Sequence, residues 1–315
     1  MRRTKSIMPI FLSITLFITA CSQTMTPSST ITTIPTAITM SSPSTIDTLV
    51  PTLVPTITPT SLPWKLVWSD EFDGTVGTSP DSKNWTYDIG GDGWGNSEHE
   101  YYTNSTANVS LDGKGSLVII ANKADSTTVG NQNCWYGPCE YTSARILTKG
   151  LYEFTYGKVE ARLKIPSGQG MWPAFWMLGA DVDMIGWPGC GEVDIMENLG
   201  REPSLVHGSV HGPAISYSGT DISNGYAYML ENGNFSDDFH VYGIEWETDA
   251  IRWYVDDNIY YSVNLKDFDR AKWVYDHPFF IILNVAVGGG WPGLPDETTV
   301  FPQYMIVDYV RVYQH

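Results

Sequence analysis

Beyond about residue 64, apolar and polar side chains alternate in short runs and seldom recur at helical spacing. Leu117–Ile120, Tyr156–Leu163, Phe239–Trp246, Ile251–Val255 and Tyr304–Tyr313 each read as a strand, since successive side chains of an extended chain point to opposite faces. Turn signals separate them, among them Asp112-Gly113, Asn232-Gly233 and Gly288-Gly289-Gly290. About 250 residues of this kind can form one domain. No repeat at a solenoid or propeller period stands out. The economical architecture is all-β, a jelly-roll β-sandwich of two antiparallel sheets.

The first 63 residues have a different pattern. Arg2, Arg3 and Lys5 precede an apolar run from Ile7 to Ile18, followed by Thr19-Ala20-Cys21. A basic start, a short apolar stretch and small residues describe an export signal over 1–20, and the run is too short for a comfortable membrane span. Ile18-Thr19-Ala20-Cys21 resembles the lipobox of bacterial lipoproteins, which implies cleavage before Cys21 and acylation of its thiol. From Ser22 to Pro63 more than half the residues are Ser, Thr or Pro, Asp47 is the only charge, and no aromatic occurs. Such a stretch cannot offset its conformational entropy by burial, so 21–63 reads as a lipidated stalk and 64–315 as the folded domain. The expected location is outside the cytoplasm, held to the membrane or cell surface through Cys21.

Composition narrows the partner. Aromatics make up 13% of the 315 residues and include 12 Trp, more indoles than a core requires. Broad faces with a polar tip suit a groove for flat, partly apolar ligands. The net charge of −17 repels phosphate backbones and sulfated polymers, which excludes nucleic acid and favours a neutral substrate. A monomer is expected. Cys134 and Cys139 bracket Trp-Tyr-Gly-Pro, whose Gly137-Pro138 turn can bring the thiols together in an oxidising compartment. Cys190, left over, reads as a buried small hydrophobe.

The densest chemical signal is Gly191-Glu192-Val193-Asp194-Ile195-Met196-Glu197. On a regular strand Glu192 and Asp194 share a face and Glu197 points the other way. One extra residue, a β-bulge in the Ile195-Met196 region, would return Glu197 to the face of the other two. Paired carboxylates on one surface can hydrolyse a glycoside, one attacking the anomeric carbon while the other protonates the leaving oxygen and later activates water. Retention of configuration requires them about 5–5.5 Å apart. Asp194 between them would tune both through like-charge coupling.

The chain resembles glycoside hydrolase family 16, in particular its bacterial laminarinase branch. The matching motifs are Trp68-Ser-Asp-Glu-Phe72, Gly93-Trp-Gly-Asn-Ser-Glu98, Tyr141-Thr-Ser-Ala-Arg145 and Tyr156-Gly-Lys-Val-Glu-Ala-Arg162. They continue with Gly170-Met-Trp-Pro-Ala-Phe-Trp-Met-Leu-Gly179, Gly191 to Asn198, His211-Gly-Pro213, Asn284-Val-Ala-Val-Gly-Gly289 and Val307-Asp-Tyr-Val-Arg-Val-Tyr313. The resemblance covers the whole folded part in order. It implies a concanavalin-like jelly roll with an open groove across the concave sheet, and hydrolysis of β-1,3-glucan. Glu192 then matches the nucleophile, Asp194 its assisting acid and Glu197 the acid/base.

Further roles follow by resemblance. Trp172 and Trp176 line the groove near the cleaved bond, Trp291 stands at the non-reducing side, and Asn96 and Arg145 bond sugar hydroxyls. His211 matches a His near the acid/base, and His207 reads as structural. No cofactor is needed for catalysis. The family often binds a structural Ca²⁺ away from the groove, for which Glu71 and Asp308 match the acidic ligands and a carbonyl near Gly115 supplies a third. The longer, bulged acid motif marks laminarinases and the shorter one lichenases. His207 and His211 also form an H-x-x-x-H pair, but the helical zinc motif needs Glu where Gly208 stands. Three competing functions share parts of this pattern. A non-catalytic glucan-binding protein would keep the aromatics and lose the acids. A mixed-linkage glucanase or a transglycosylase would keep both.

Overall fold

The structure is a computed structural model that describes residues 63–124, 132–217 and 219–315. The export signal, Cys21 and the stalk up to residue 62 lie outside the described residues. Among the described residues no helix is long and apolar enough to cross a membrane.

Two sheets enclose one core. The ten-stranded sheet runs in the order Asn258–Asn264, Ala250–Val255, His240–Trp246, Gly157–Lys164, Gln303–Gln314, Leu117–Lys123, Tyr141–Ser143 and Glu100–Tyr102. Lys65–Asp70 joins it on Gln303–Gln314, and Val109–Leu111 joins it on Leu117–Lys123. All its pairings are antiparallel except Glu100–Tyr102 with Tyr141–Ser143. All five strands expected from alternation belong to this sheet, with ends shifted by up to three residues. Its buried Glu160 accepts hydrogen bonds from Tyr254 (2.8 Å) and Tyr313 (3.0 Å) and pairs with Lys158, so the carboxylate does not remain unpartnered.

The seven-stranded sheet is antiparallel throughout, in the order Asp221–Met229, Leu205–Pro213, Glu192–Glu197, Met171–Gly179, Phe279–Val287, Arg145–Leu147 and Thr86–Asp88. Its inner face supplies Val193, Phe175, Met177, Val206, Val210, Ile281, Leu283 and Val285 to the core shared with the other sheet. Phe279–Val287 is buried along its whole length. One face meets the shared core, and Phe280 and Ile282 pack on the other with Leu147, Trp176 and Leu178. At about 25 cal/mol per Å² of apolar surface, this continuous interior is the main stabilising term of the domain.

A two-stranded ribbon, Asn133–Cys134 with Gly137–Pro138, carries the Cys134–Cys139 disulfide, whose Cα atoms lie 5.0 Å apart. Its Trp135 and Tyr136 donate to the backbone oxygens of Glu98 and His99, each at 2.7 Å, and so brace the Gly93–Glu98 loop. Cys190 is buried, and burial pushes its thiol up to about 11, which leaves it inert.

Candidate active site

The acid strand contains the irregularity that its spacing requires. Against the neighbouring strand, Asp194 pairs with Ser209 while Glu197 pairs with His207, so three steps on one side match two on the other. On the opposite side Trp176 pairs with Asp194 and Phe175 with Met196, leaving Ile195 as the extra residue. Ile195 and Met196 are both buried in the core, at 2% and 0% exposure. Two consecutive side chains thus turn inward, and Glu197 emerges on the outer face with Glu192 and Asp194.

These acids lie on the floor of a cleft of about 710 Å³ across the outer face of the sheet. That volume falls within the usual range for ligand sites. One transverse row of the floor reads Ala227, His207, Glu197, Ala174, Asn284, Arg145 and Asp88. Period-two alternation along Met171–Gly179 sends Trp172 and Trp176 to the same face as the acids.

Each acid has its own partner. Trp172 Nε1 donates to Glu197 Oε1 at 2.9 Å, and Trp187 Nε1 donates to Glu192 Oε2 at 2.9 Å. The Ser209 hydroxyl donates to Asp194, and His211 Nε2 lies 3.3 Å from the same Oδ2. The other ring nitrogen of His211 is 2.9 Å from Asp221.

Titration follows from this crowding. Burial, then the charge of Asp194, raises the Glu192 carboxyl; His211, Arg145 and the Trp187 hydrogen bond pull it back. Burial, then both Asp194 and Glu192, hold Glu197 well above the usual carboxylate range. Each has an indole donor, but Glu197 feels two neighbouring carboxylates, and Glu192 has more nearby positive charge. Of the two acids, Glu197 therefore holds its proton the more tightly. Burial alone would lower the His211 imidazole, but the hydrogen bond and charge of Asp194, with Glu192 and Asp221, outweigh it and push the ring up to about 11. His211 is an imidazolium at neutral pH.

The cleft walls hold the remaining expected residues. Arg145 is sandwiched between Trp94 (5.1 Å) and Trp176 (4.7 Å) and pairs with Asp88 at 3.0 Å. Asn96 lines the same wall and donates to Glu98 at 3.0 Å. Trp291 stands edge-on to Trp172 and to His207.

His211 is in register with Glu192, whereas His207, read as structural, is opposite Glu197 and lines the cleft. The bulge shifts the register by one residue between Asp194 and Glu197, so Glu197 faces His207 rather than Val206, while the pairing of Glu192 with His211 lies before the shift. Glu71 and Asp308 are engaged by arginines: Arg311 grips Glu71 at 2.9 and 2.7 Å, and Arg162 holds Asp308 at 2.8 Å. Gly115 adjoins the Glu71 backbone carbonyl and the Asp73 carboxylate, each just under 4 Å from where its Cβ would stand. Among the described residues, the three-residue cluster with metal-ligand spacing is Glu192, Asp194 and His211, which leaves His207 out. Sequence reasoning missed Trp94, Trp187, Ser209 and Asp221. Trp187 carried a faint signal, an indole in a Gly- and Pro-rich loop five residues before Glu192.

Comparison with known proteins agrees with this geometry. The model of the family described as glycosyl hydrolases family 16 matches residues 95–311. The chain is 44% identical over 256 residues to a β-glucanase of Rhodothermus marinus, covering 78% of this chain and 84% of that one. It is 38% identical over 262 residues to glucan endo-1,3-β-glucosidase A1 of Niallia circulans, covering 78% of this chain and 37% of that longer protein. Among solved structures, the catalytic domain of an endo-1,3-β-glucanase (laminarinase) from Thermotoga petrophila is 48% identical, with a TM-score of 0.70, covering 80% of this chain and 98% of that one.

Proposed function

This chain belongs to family 16 of the glycosyl hydrolases, and from that premise we propose that it cuts internal β-1,3 bonds of a neutral, laminarin-type glucan with net retention. The observation that carries the reading is the bulge at Ile195-Met196, which sets Glu197 on the same face as Glu192. In the proposed cycle Glu192 attacks the anomeric carbon while Glu197 protonates the departing glycosidic oxygen. Glu197, now ionised, takes a proton from water, and that water releases the sugar from Glu192. Asp194, tied to Ser209 and His211, keeps the proton on Glu197 through its charge.

The β-1,3 preference is supported by the relatives named for that linkage and by the bulged acid motif. The charge of −17 disfavours sulfated glycans. In this reading Trp172, Trp176 and Trp291 pack against sugar faces, and Asn96, Arg145 and His211 bond hydroxyls in the cleft. Calcium stays in the reading as a structural ion of the Glu71, Gly115 and Asp308 region, where the Glu71 carbonyl and Asp73 add hard oxygens. The same reading includes a monomer exported on the signal at 1–20 and anchored through Cys21 by the stalk at 21–63. Cys21→Ser should then move the protein into the soluble fraction, and unchanged membrane retention would remove the anchor.

Product analysis tests the activity. Laminarin and curdlan should yield a ladder of short oligosaccharides with a rapid fall in viscosity. Preference for lichenan or xyloglucan would overturn the linkage, and longer products would indicate transglycosylation.

A further inference from the structure

The bulge that aims Glu197 has a support outside the cleft. Trp253 belongs to Ala250–Val255 in the opposite, ten-stranded sheet, and it is fully buried. Its Nε1 crosses the core to donate to the backbone oxygen of Asp194 at 2.8 Å. Asp194 is the last regularly paired residue before the register breaks. A bulge disrupts its ladder locally, and a buried carbonyl there needs a donor from elsewhere.

The facing strand is shaped for this contact. Gly208 lies between Ser209, opposite Asp194, and His207, opposite Glu197, so it faces the extra residues. A Cβ on Gly208 would stand 2.8 Å from Trp253 Nε1, closer still to Cδ1, and 2.5 Å from the Tyr260 hydroxyl. Only glycine leaves room for the indole. Tyr261 packs against Trp253 with ring centroids 5.1 Å apart.

We propose that Trp253 is a positioning residue for the reaction: its cross-sheet hydrogen bond, admitted by Gly208, locks the bulge register that delivers Glu197 to the leaving oxygen. This rests on the acid/base role proposed for Glu197. Trp253 touches no substrate, and its effect passes through the Asp194 backbone. The step that suffers when it is lost is proton donation to the leaving group, because attack by Glu192 comes from before the break.

The test compares kcat/KM, which reports the first bond cleavage, on a laminari-oligosaccharide and on 2,4-dinitrophenyl β-laminaribioside. Dinitrophenolate leaves without a proton. Trp253→Phe should lower kcat/KM on the oligosaccharide by roughly ten- to a hundredfold, since misplacing a catalytic group by about 1 Å can cost about a hundredfold. It should lower the value on the dinitrophenyl substrate by less than about twofold, because acid catalysis contributes little there. Gly208→Ala, which pushes the indole away from the other side, should give the same asymmetry and decides the matter if Trp253→Phe does not fold. An equal fall on both substrates, or wild-type values on both, would overturn the proposal. Glu197→Gln separates the two readings. If it falls equally on both substrates while Trp253→Phe is asymmetric, the cross-sheet link stands and another group is the acid.

Discussion

Trp187 Nε1 donates to Glu192 Oε2 at 2.9 Å, although the indole itself is half exposed at the cleft edge. This bond favours the ionised form that attacks the anomeric carbon. Trp187→Phe keeps most of the ring and removes the donor. We expect kcat/KM on laminarin to drop by about tenfold, in line with a lost hydrogen bond to a charged group. The acidic limb of its pH profile should move to higher pH, because Glu192 then holds its proton more tightly. A limb that stays put would mean that Trp187 serves substrate packing alone.

His211 lies in register with Glu192 and carries a positive charge at neutral pH. That charge lowers both Glu192 and Glu197. In His211→Gln both limbs of the kcat/KM profile should therefore shift to higher pH. Movement of either limb to lower pH contradicts the charge assignment.

Glu197 is expected to destabilise the fold at alkaline pH. Its folded-state value is raised well above the ordinary 4.5, mainly by burial. Its contribution to stability is thus fully present below 4.5 and is lost as pH rises, since the unfolded chain ionises there while the folded chain must keep the proton. Glu197→Gln removes this cost. Its Tm should exceed that of the parent at about pH 8, by roughly 2–4 °C for each kcal/mol recovered, and the gain should fade toward about pH 4. Scanning calorimetry across that range checks the sign, and a gain that grows toward acid would refute it.

How much of this was legible in the sequence depends on which sheet is asked about. Alternation exposed Gly157–Lys164 and Gln303–Gln314 because the outer face of their sheet carries polar residues such as Lys158, Arg162, Asp308 and Arg311. The cleft sheet hides its period. In Met171–Gly179 the outward positions are Trp172, Ala174, Trp176 and Leu178, as apolar as the inward ones, and Phe279–Val287 is buried on both faces. The acid strand escaped this masking because three carboxylates mark its outer face, and their uneven spacing also announced the bulge. Partners set by register were out of reach. Ser209, Asp221 and Trp253 lie 15, 27 and 59 positions from Asp194, and nothing local ties them to it.

Glu192 is the attacking group in the proposed cycle, and removing its carboxylate tests that role most directly. In Glu192→Ala the aromatics and Glu197 remain, so the protein should fold and bind glucan without hydrolysing it. Azide can then enter the space the carboxylate vacated. With a dinitrophenyl β-laminaribioside as substrate, the predicted product is the α-glycosyl azide, identified by NMR at its anomeric centre. Wild-type turnover without azide, or a β-azide in its presence, would contradict the assignment.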